Sequence, residues 1–254
     1  MPQFDRDRFI AAISAERINF IITVPAIYAL ILRTPEFEAL DRTRVRWLAY
    51  GGAPIAPSLV RQLKQAFPNA RLANGFGMTE TTSIIAALPD EDSFEYADSV
   101  GYAVPTIDLG IVPLDAADPD TGELVARGGN VTGGYWGKPE ETAQAFRDGW
   151  YYTGDVVRVD DHGRLYLVDR KKDIIIRGGE NISSVEIEAA VLALPEIMEA
   201  AVLAVPDEVL GEKVGVVVYT GDRQVSADAI LAHCRARLAR YKVPQFIHFS
   251  ATPL

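Results

Sequence analysis

Residues 150–188 constrain this chain more than any other stretch. Two alternating runs, 156–159 and 164–168, flank Asp160, Asp161, His162 and Gly163. Alternation broken by a Gly-containing turn predicts a β-hairpin. Such a hairpin carries Asp155 at its entrance and Arg170 at its exit, close together in space. A carboxylate and a guanidinium set that way can grip a diol such as a ribose, one accepting and the other donating hydrogen bonds. The same two residues also read as a surface ion pair, which contributes little. Next come Lys171, Lys172 and Asp173, a short apolar strand, and then Gly178 and Gly179. That order is expected of a jointed connection between two domains.

Composition sets the outer limits. The 254 residues are 48% hydrophobic and 24% charged, enough for one large or two ordinary globular domains. The formal net charge of −10 comes without a Lys/Arg cluster, which argues against nucleic-acid or anionic-membrane partners. A single cysteine, Cys234, excludes an internal disulfide and fits a reducing, cytoplasmic setting. No apolar run approaches the roughly 18 residues of a membrane span, and Met1 to Asp5 do not begin a signal peptide.

Along the chain, Asp5 is placed to cap a helix with Phe9, Ile10 and Ile13 on one face. The continuous apolar run 18–24, stopped by Pro25, predicts a buried strand. A short helix over 26–33, a strand over 45–50, a helix over 57–67 and a strand over 71–74 follow. This alternation predicts an α/β fold with a parallel sheet covered by helices. Gly51-Gly52-Ala53-Pro54 and Asn74-Gly75-Phe76-Gly77-Met78-Thr79-Glu80 are expected just past strand ends, where open α/β sheets bind ligands. Ordinary turn glycines are the competing reading.

Residues 100–168 turn to short strands and Gly/Pro turns, predicting a small β-rich subdomain. Residues 122–128 and 133–140 read as packing and turn elements. Gly137-Lys138 lacks the spacing of a phosphate-binding Walker loop, and Pro139 stands where Ser or Thr is needed. The remainder, 169–254, reads as a small α+β domain. It has a capping box at Ser183 and Glu186 for a helix ending at Pro195, strands over 200–205 and 214–219, a helix capped by Ser226, and a strand over 245–249. No G-x-S-x-G nucleophile elbow occurs. His162, His233 and His248 are scattered, and His233 and Cys234 point apart on one helix, so a metal pair is not expected. Cys234 falls on the apolar stripe and reads as core.

These motifs resemble the adenylate-forming superfamily of acyl-CoA synthetases, aryl-CoA ligases, luciferases and peptide-synthetase adenylation domains. The similarity rests on Tyr151-Tyr152-Thr153-Gly154-Asp155, on Asp169-Arg170-Lys171-Lys172-Asp173 with Asp169 replacing the usual Gly, on Gly178-Gly179-Glu180-Asn181-Ile182, and on the loops at Gly51 and Asn74, where Phe76 replaces the usual Tyr. It extends over essentially the whole chain. The resemblance implies that Gly52 and Phe76 border an adenine within a nucleotide site that also includes Ala53, Asn74, Gly75 and Gly77. It implies Thr79 at the phosphate, Glu80 on Mg²⁺, and Asp155 with Arg170 on the ribose. Phe20, Gly51, Gly52, Gly75 and Met78 would border an apolar fatty or aryl acyl group. Lys172 matches the hinge, and Gly178, Gly179 and Glu180 match the loop that faces coenzyme A. The implied reaction activates a carboxylic acid with ATP to an acyl-adenylate and transfers it to CoA, AMP leaving.

Two family motifs fall outside these residues: the Ser/Thr/Gly-rich phosphate loop expected upstream of Met1, and the terminal lysine motif expected after Leu254. The expectation is therefore a truncated ligase that, alone, does not form acyl-adenylate at a meaningful rate. It would comprise part of a large domain over 1–168 (α/β over 1–99, β-rich over 100–168) and part of a lid domain over 169–254. Two alternatives stay open: an inactive nucleotide-binding fragment or half of a split enzyme with a complementary N-terminal half, and a peptide-synthetase adenylation domain.

Overall fold

The computed structural model describes residues 4–53 and 55–254, so Met1 to Gln3 and Pro54 of the Gly51 loop lie outside the described residues. Helix α1 (Arg6–Ala15) starts where the sequence predicts, with the Asp5 carboxylate accepting from the Arg8 amide at 2.8 Å. Then follow β1 (Phe20–Thr23), α2 (Pro25–Ile31), α3 (Pro35–Glu38), β2 (Trp47–Gly51), α4 (Pro57–Ala66), β3 (Arg71–Gly77), β4 (Ile84–Leu88) and β5 (Tyr102–Ala103). Strands β1 to β5 form one sheet in that order. The first three are parallel, as expected from the β/α alternation, and β4 and β5 extend the sheet antiparallel.

Period-two geometry sorts the side chains of this sheet. Ile21, Leu48 and Leu72 stand in register and are buried, in one core with Ile10, Ile13, Tyr28, Val60 and Leu63 from the helices. The Tyr28 hydroxyl lies 3.1 Å from the Ile21 carbonyl and 2.9 Å from the Ala49 carbonyl, tying α2 to two neighbouring strands. On the opposite face Phe20 and Ile22 are 51% and 68% exposed. The run 18–24 is therefore not a strand buried on both faces. Strand β1 lies at the sheet edge among the described residues, and the helices cover one face of it. A second departure concerns Gly75, Phe76 and Gly77, which lie inside β3 rather than past its end and pair with Ala87, Ala86 and Ile84 across a register shift.

The chain continues through β6 (Ile107–Asp115), β7 (Asp118–Gly128), α5 (Pro139–Ala145), β8 (Phe146–Arg147), β9 (Trp150–Val159) and β10 (Leu165–Arg170). They form a second sheet in the order β10-β9-β7-β6, with β8 on β9. Helix α5 interrupts a stretch that the sequence reading gave to turns, although Pro139 at its start and Glu140 and Glu141 in its first turn are ordinary helix-start residues.

Strands β11 (Ile175–Arg177) and β12 (Glu180–Ile182), helix α6 (Ser184–Leu192), β13 (Glu199–Asp207), β14 (Gly211–Tyr219), α7 (Ala227–Arg235) and β15 (Phe246–Phe249) build the third sheet and its covering helices. The sheet order is β12-β11-β14-β13, with β15 parallel to β14. Ser183 caps α6 through the Glu186 amide at 3.2 Å, but the Glu186 carboxylate reaches Lys242 Nζ at 2.6 Å. The expected capping box is thus only half made, and α6 ends at Leu192, short of Pro195. By contact the chain divides into two compact units, residues 1–153 with 158–167 and residues 154–157 with 168–254. Among the described residues no helix is long and apolar enough to cross a membrane.

Cys234 packs in the second unit's core with Ile187, Val191, Val216 and Ile230. Burial pushes its thiol pKa up. It should resist thiol reagents in the native state and react only on unfolding, and Cys234→Ser should destabilise by roughly 1–3 kcal/mol because a hydroxyl enters an apolar core. Thiol-labelling kinetics across a urea titration check both.

Candidate active site

In the first unit, steric necessity explains several glycines. A Cβ on Gly51 would lie 2.2 Å from the Gly75 carbonyl oxygen, and one on Gly77 would lie 2.1 Å from the Ser83 carbonyl oxygen. Gly52, directly past β2, has φ +75°, a left-handed conformation that favours glycine. Asn74 is buried and its side-chain amide donates to the Ser99 carbonyl at 3.0 Å, so that amide ties β3 to the loop leading into β5. Phe76 and Met78 are half-buried, and Ala53 and Phe20 are exposed.

Beyond β3, residues Thr79–Thr81 make one 3-10 turn, followed by Thr82 at φ +62°. The turn is pinned from a distance. Thr82 Oγ1 donates to the Asn130 carbonyl at 2.8 Å, Asn130 Nδ2 donates to the Thr81 carbonyl at 3.0 Å, and the Thr132 amide donates to the Glu80 carbonyl at 2.8 Å. Thr79 is left exposed and Glu80 half-buried. The Tyr135 hydroxyl donates to Glu80 Oε1 at 2.9 Å. Burial and that bond hold the Tyr135 pKa above its ordinary value. Asn130, Thr132 and Tyr135 are site residues that the sequence reading missed. Tyr135 lay in a quoted motif, but nothing local in the sequence indicates a bond 55 positions away.

One fixed carboxylate beside an exposed hydroxyl suits Mg²⁺ that arrives with nucleotide phosphates, since this ion usually keeps waters and takes only one or two carboxylates. Among the described residues no group of three or more His, Cys, Asp or Glu side chains could hold a metal by itself.

In the second unit, the hairpin brings together the two residues predicted to meet. Arg170 Nε lies 2.6 Å from Asp155 Oδ1, with side chains 55% and 2% exposed respectively. A buried acceptor thus meets an exposed donor. The Lys171 amide donates to the Gly154 carbonyl at 2.7 Å. Asp169, the departure from the family pattern, is buried and bonded at both oxygens. Oδ1 accepts from the Arg170 amide at 2.7 Å, and Oδ2 accepts from the Ser184 amide at 2.5 Å and the Ser184 hydroxyl at 2.9 Å. The Ser183 hydroxyl adds a bond to the Val168 carbonyl at 2.9 Å. The Arg170 backbone is therefore fixed to the start of α6. Lys172 sits exposed in the turn that follows. Gly178 and Gly179, at φ +61° and +93°, form the two-residue turn between β11 and β12, and Glu180 beside them is exposed.

These features belong to a chain of the AMP-binding enzyme family. That family matches residues 1–136, and the AMP-binding enzyme C-terminal domain matches residues 186–253. Among relatives, a long-chain-fatty-acid–CoA ligase, FadD13, of Mycobacterium tuberculosis is 36% identical over 252 residues, covering 98% of this chain and 50% of that one. A feruloyl-CoA synthase of Amycolatopsis is 37% identical, covering 97% and 51%. The o-succinylbenzoate CoA synthetase (MenE) of Bacillus subtilis, in complex with its acyl-adenylate intermediate, superposes with TM-score 0.89 at 28% identity, covering all of this chain and 52% of that one. The chain spans about half the length of the curated relatives it matches.

The turn of the hairpin yields a pH prediction. Asp160 accepts from the amides of His162 at 2.9 Å and Arg164 at 3.0 Å and from Arg164 Nε at 2.8 Å. Burial raises its pKa, but these donors outweigh burial and hold it at about 2, below the ordinary 3.8. A depressed folded-state value means stabilisation that is complete above the unfolded pKa and disappears as pH falls through the folded one. Between pH 4 and 2 the native chain should lose stability with a slope that Asp160→Asn reduces, as read by urea midpoints across that range.

Proposed function

We propose that this chain supplies the nucleotide-handling part of an AMP-forming acid–CoA ligase acting on a fatty or aryl carboxylic acid. The observation that carries the reading is the Asp155–Arg170 pair, formed where the hairpin predicts it and held by the bonds of Asp169. In this reading Asp155 accepts from the ribose hydroxyls and Arg170 donates to them. Gly52, Ala53, Gly75, Phe76 and Gly77 border the base, with Asn74 as framework. Thr79 donates to phosphate, and Glu80, oriented by Tyr135, holds Mg²⁺, which neutralises phosphate charge when bound. Phe20, Gly51, Gly52, Gly75 and Met78 border the acyl group. Lys172 is the pivot of a lid over 169–254, and Gly178, Gly179 and Glu180 face CoA.

The chemistry asks for no side-chain nucleophile. The acid's carboxylate attacks the α-phosphorus of ATP and pyrophosphate leaves; the thiol of CoA then attacks the acyl carbon and AMP leaves. What the protein contributes is placement and charge stabilisation. The exposed apolar face of β1, with Trp47 beside Phe20 on β2, supports a complementary half packing there. The single buried thiol supports a cytoplasmic setting.

Calorimetry on this chain tests the ribose assignment without turnover. AMP should bind, and Asp155→Ala should weaken it by about 1.5–3 kcal/mol if a charge-assisted bond is lost. AMP lacking both ribose hydroxyls should bind the native chain and the variant equally weakly. An unchanged AMP affinity in the variant rejects the assignment.

A further inference from the structure

Three residues other than glycine have positive φ among the described residues: Arg17, Thr82 and Asp148. Two have ordinary reasons. Arg17 follows the C-cap of α1, and Asp148 with Gly149 makes the two-residue turn between the paired strands β8 and β9. Thr82, at φ +62°, differs in being β-branched, and a branched Cβ fits the left-handed region poorly. It closes the 3-10 turn Thr79–Thr81, a place where Gly or Asn would sit with less strain. Backbone outliers persist where the surroundings over-determine them, and they gather at functional sites.

The chain reverses between Gly77 and Ile84, which pair across β3 and β4. Inside the reversal the buried Thr81 hydroxyl accepts from the Met78 amide at 3.2 Å and donates to the Ser83 carbonyl at 2.9 Å. Those bonds satisfy the loop from within. Asn130 holds it from outside, its carbonyl accepting from the Thr82 hydroxyl and its side-chain amide donating to the Thr81 carbonyl. Thr82 is exposed, so water competes for its hydroxyl and the bond to Asn130 adds little to folding. What the bond does is fix the direction of the turn that carries Thr79 and Glu80.

We propose that Thr82 is a positioning residue: its hydroxyl tether to Asn130 holds a strained left-handed backbone that keeps Thr79 and Glu80 aimed together at the phosphates and Mg²⁺ of a bound nucleotide. The ligand rests on the ligase reading; the tether does not.

Three variants separate strain from tether. Thr82→Ser keeps the hydroxyl, Thr82→Ala removes it and keeps a Cβ, and Thr82→Gly removes both. Urea midpoints read the strain: Thr82→Gly should unfold at higher urea than Thr82→Ala, the reverse of the order at an ordinary position. Calorimetry with ATP, with and without Mg²⁺, reads the positioning. The Mg²⁺-dependent gain in ATP affinity should fall about fivefold in Thr82→Ala and Thr82→Gly alike, the contribution of one hydrogen bond, and stay native in Thr82→Ser. A merely structural residue would make binding follow stability, with Thr82→Gly binding better than Thr82→Ala. Hydrogen exchange without ligand reads the turn itself. The Thr81 and Thr82 amides, which donate to the Met78 and Thr79 carbonyls at 3.2 and 3.0 Å, should exchange faster in Thr82→Ala and Thr82→Gly than in Thr82→Ser. Native exchange in Thr82→Gly, or Thr82→Ala as stable as Thr82→Gly, overturns the proposal. Faster exchange with a native Mg²⁺-dependent gain also overturns it. If exchange responds as expected but ATP affinity ignores Mg²⁺ even in the native chain, the tether stands and the Glu80 assignment of the ligase reading falls.

Discussion

A carboxylate taken out of water must be surrounded by donors or give up its charge. Asp169 is surrounded by donors, and the local order of the segment from Arg170 to Ser184 depends on it. One oxygen holds the Arg170 amide and the other holds both donors of Ser184. Fourteen positions separate Arg170 from Ser184, and within them lie Lys172, strand β11, the Gly178-Gly179 turn and strand β12. Closing that segment at its base limits the directions in which the Arg170 side chain can leave the backbone. Replacing Asp169 by an apolar residue would leave three donors without their acceptor, a loss larger than that of an ordinary surface bond.

The two units solve the problem of placing a polar group by different means. In the first, backbones approach so closely that side chains are excluded, as at Gly51 against Gly75, and the acidic group comes from a short turn held by distant carbonyls and amides. In the second, a regular hairpin does the positioning. The turn of that hairpin, which belongs to the first unit, is stiffened by Asp160, which binds two amides and a guanidinium while Arg164 lies over the Tyr96 ring at 3.5 Å.

What could be read in advance follows the range of each interaction. The hairpin and the caps of α1 and α7 are local, so period-two alternation and a Ser or Asp before a helix predicted them. The Asp155–Arg170 contact was legible because the hairpin register fixes it. Gly75 and Gly77 were misplaced since glycine reads as a turn, whereas here it permits a close strand contact. The antiparallel strands β4 and β5 carry a short apolar run whose partner and direction are set only by the finished sheet. The bond from Tyr135 to Glu80 joins residues that share no local pattern.

The bare face of strand β1 has a consequence for how the molecule behaves among copies of itself. Phe20 and Ile22 lie on a strand with no further neighbour on its outer side among the described residues, so it presents both apolar surface and unpaired backbone. A net charge of −10 opposes association of such edges. That repulsion acts through solvent and shrinks as salt shortens the screening length to about 10 Å at 0.1 M. The attraction between apolar faces has no such dependence. Colloidal behaviour is therefore a balance between a long-range term that salt weakens and a contact term that it leaves in place, and the balance tips towards association as ionic strength rises.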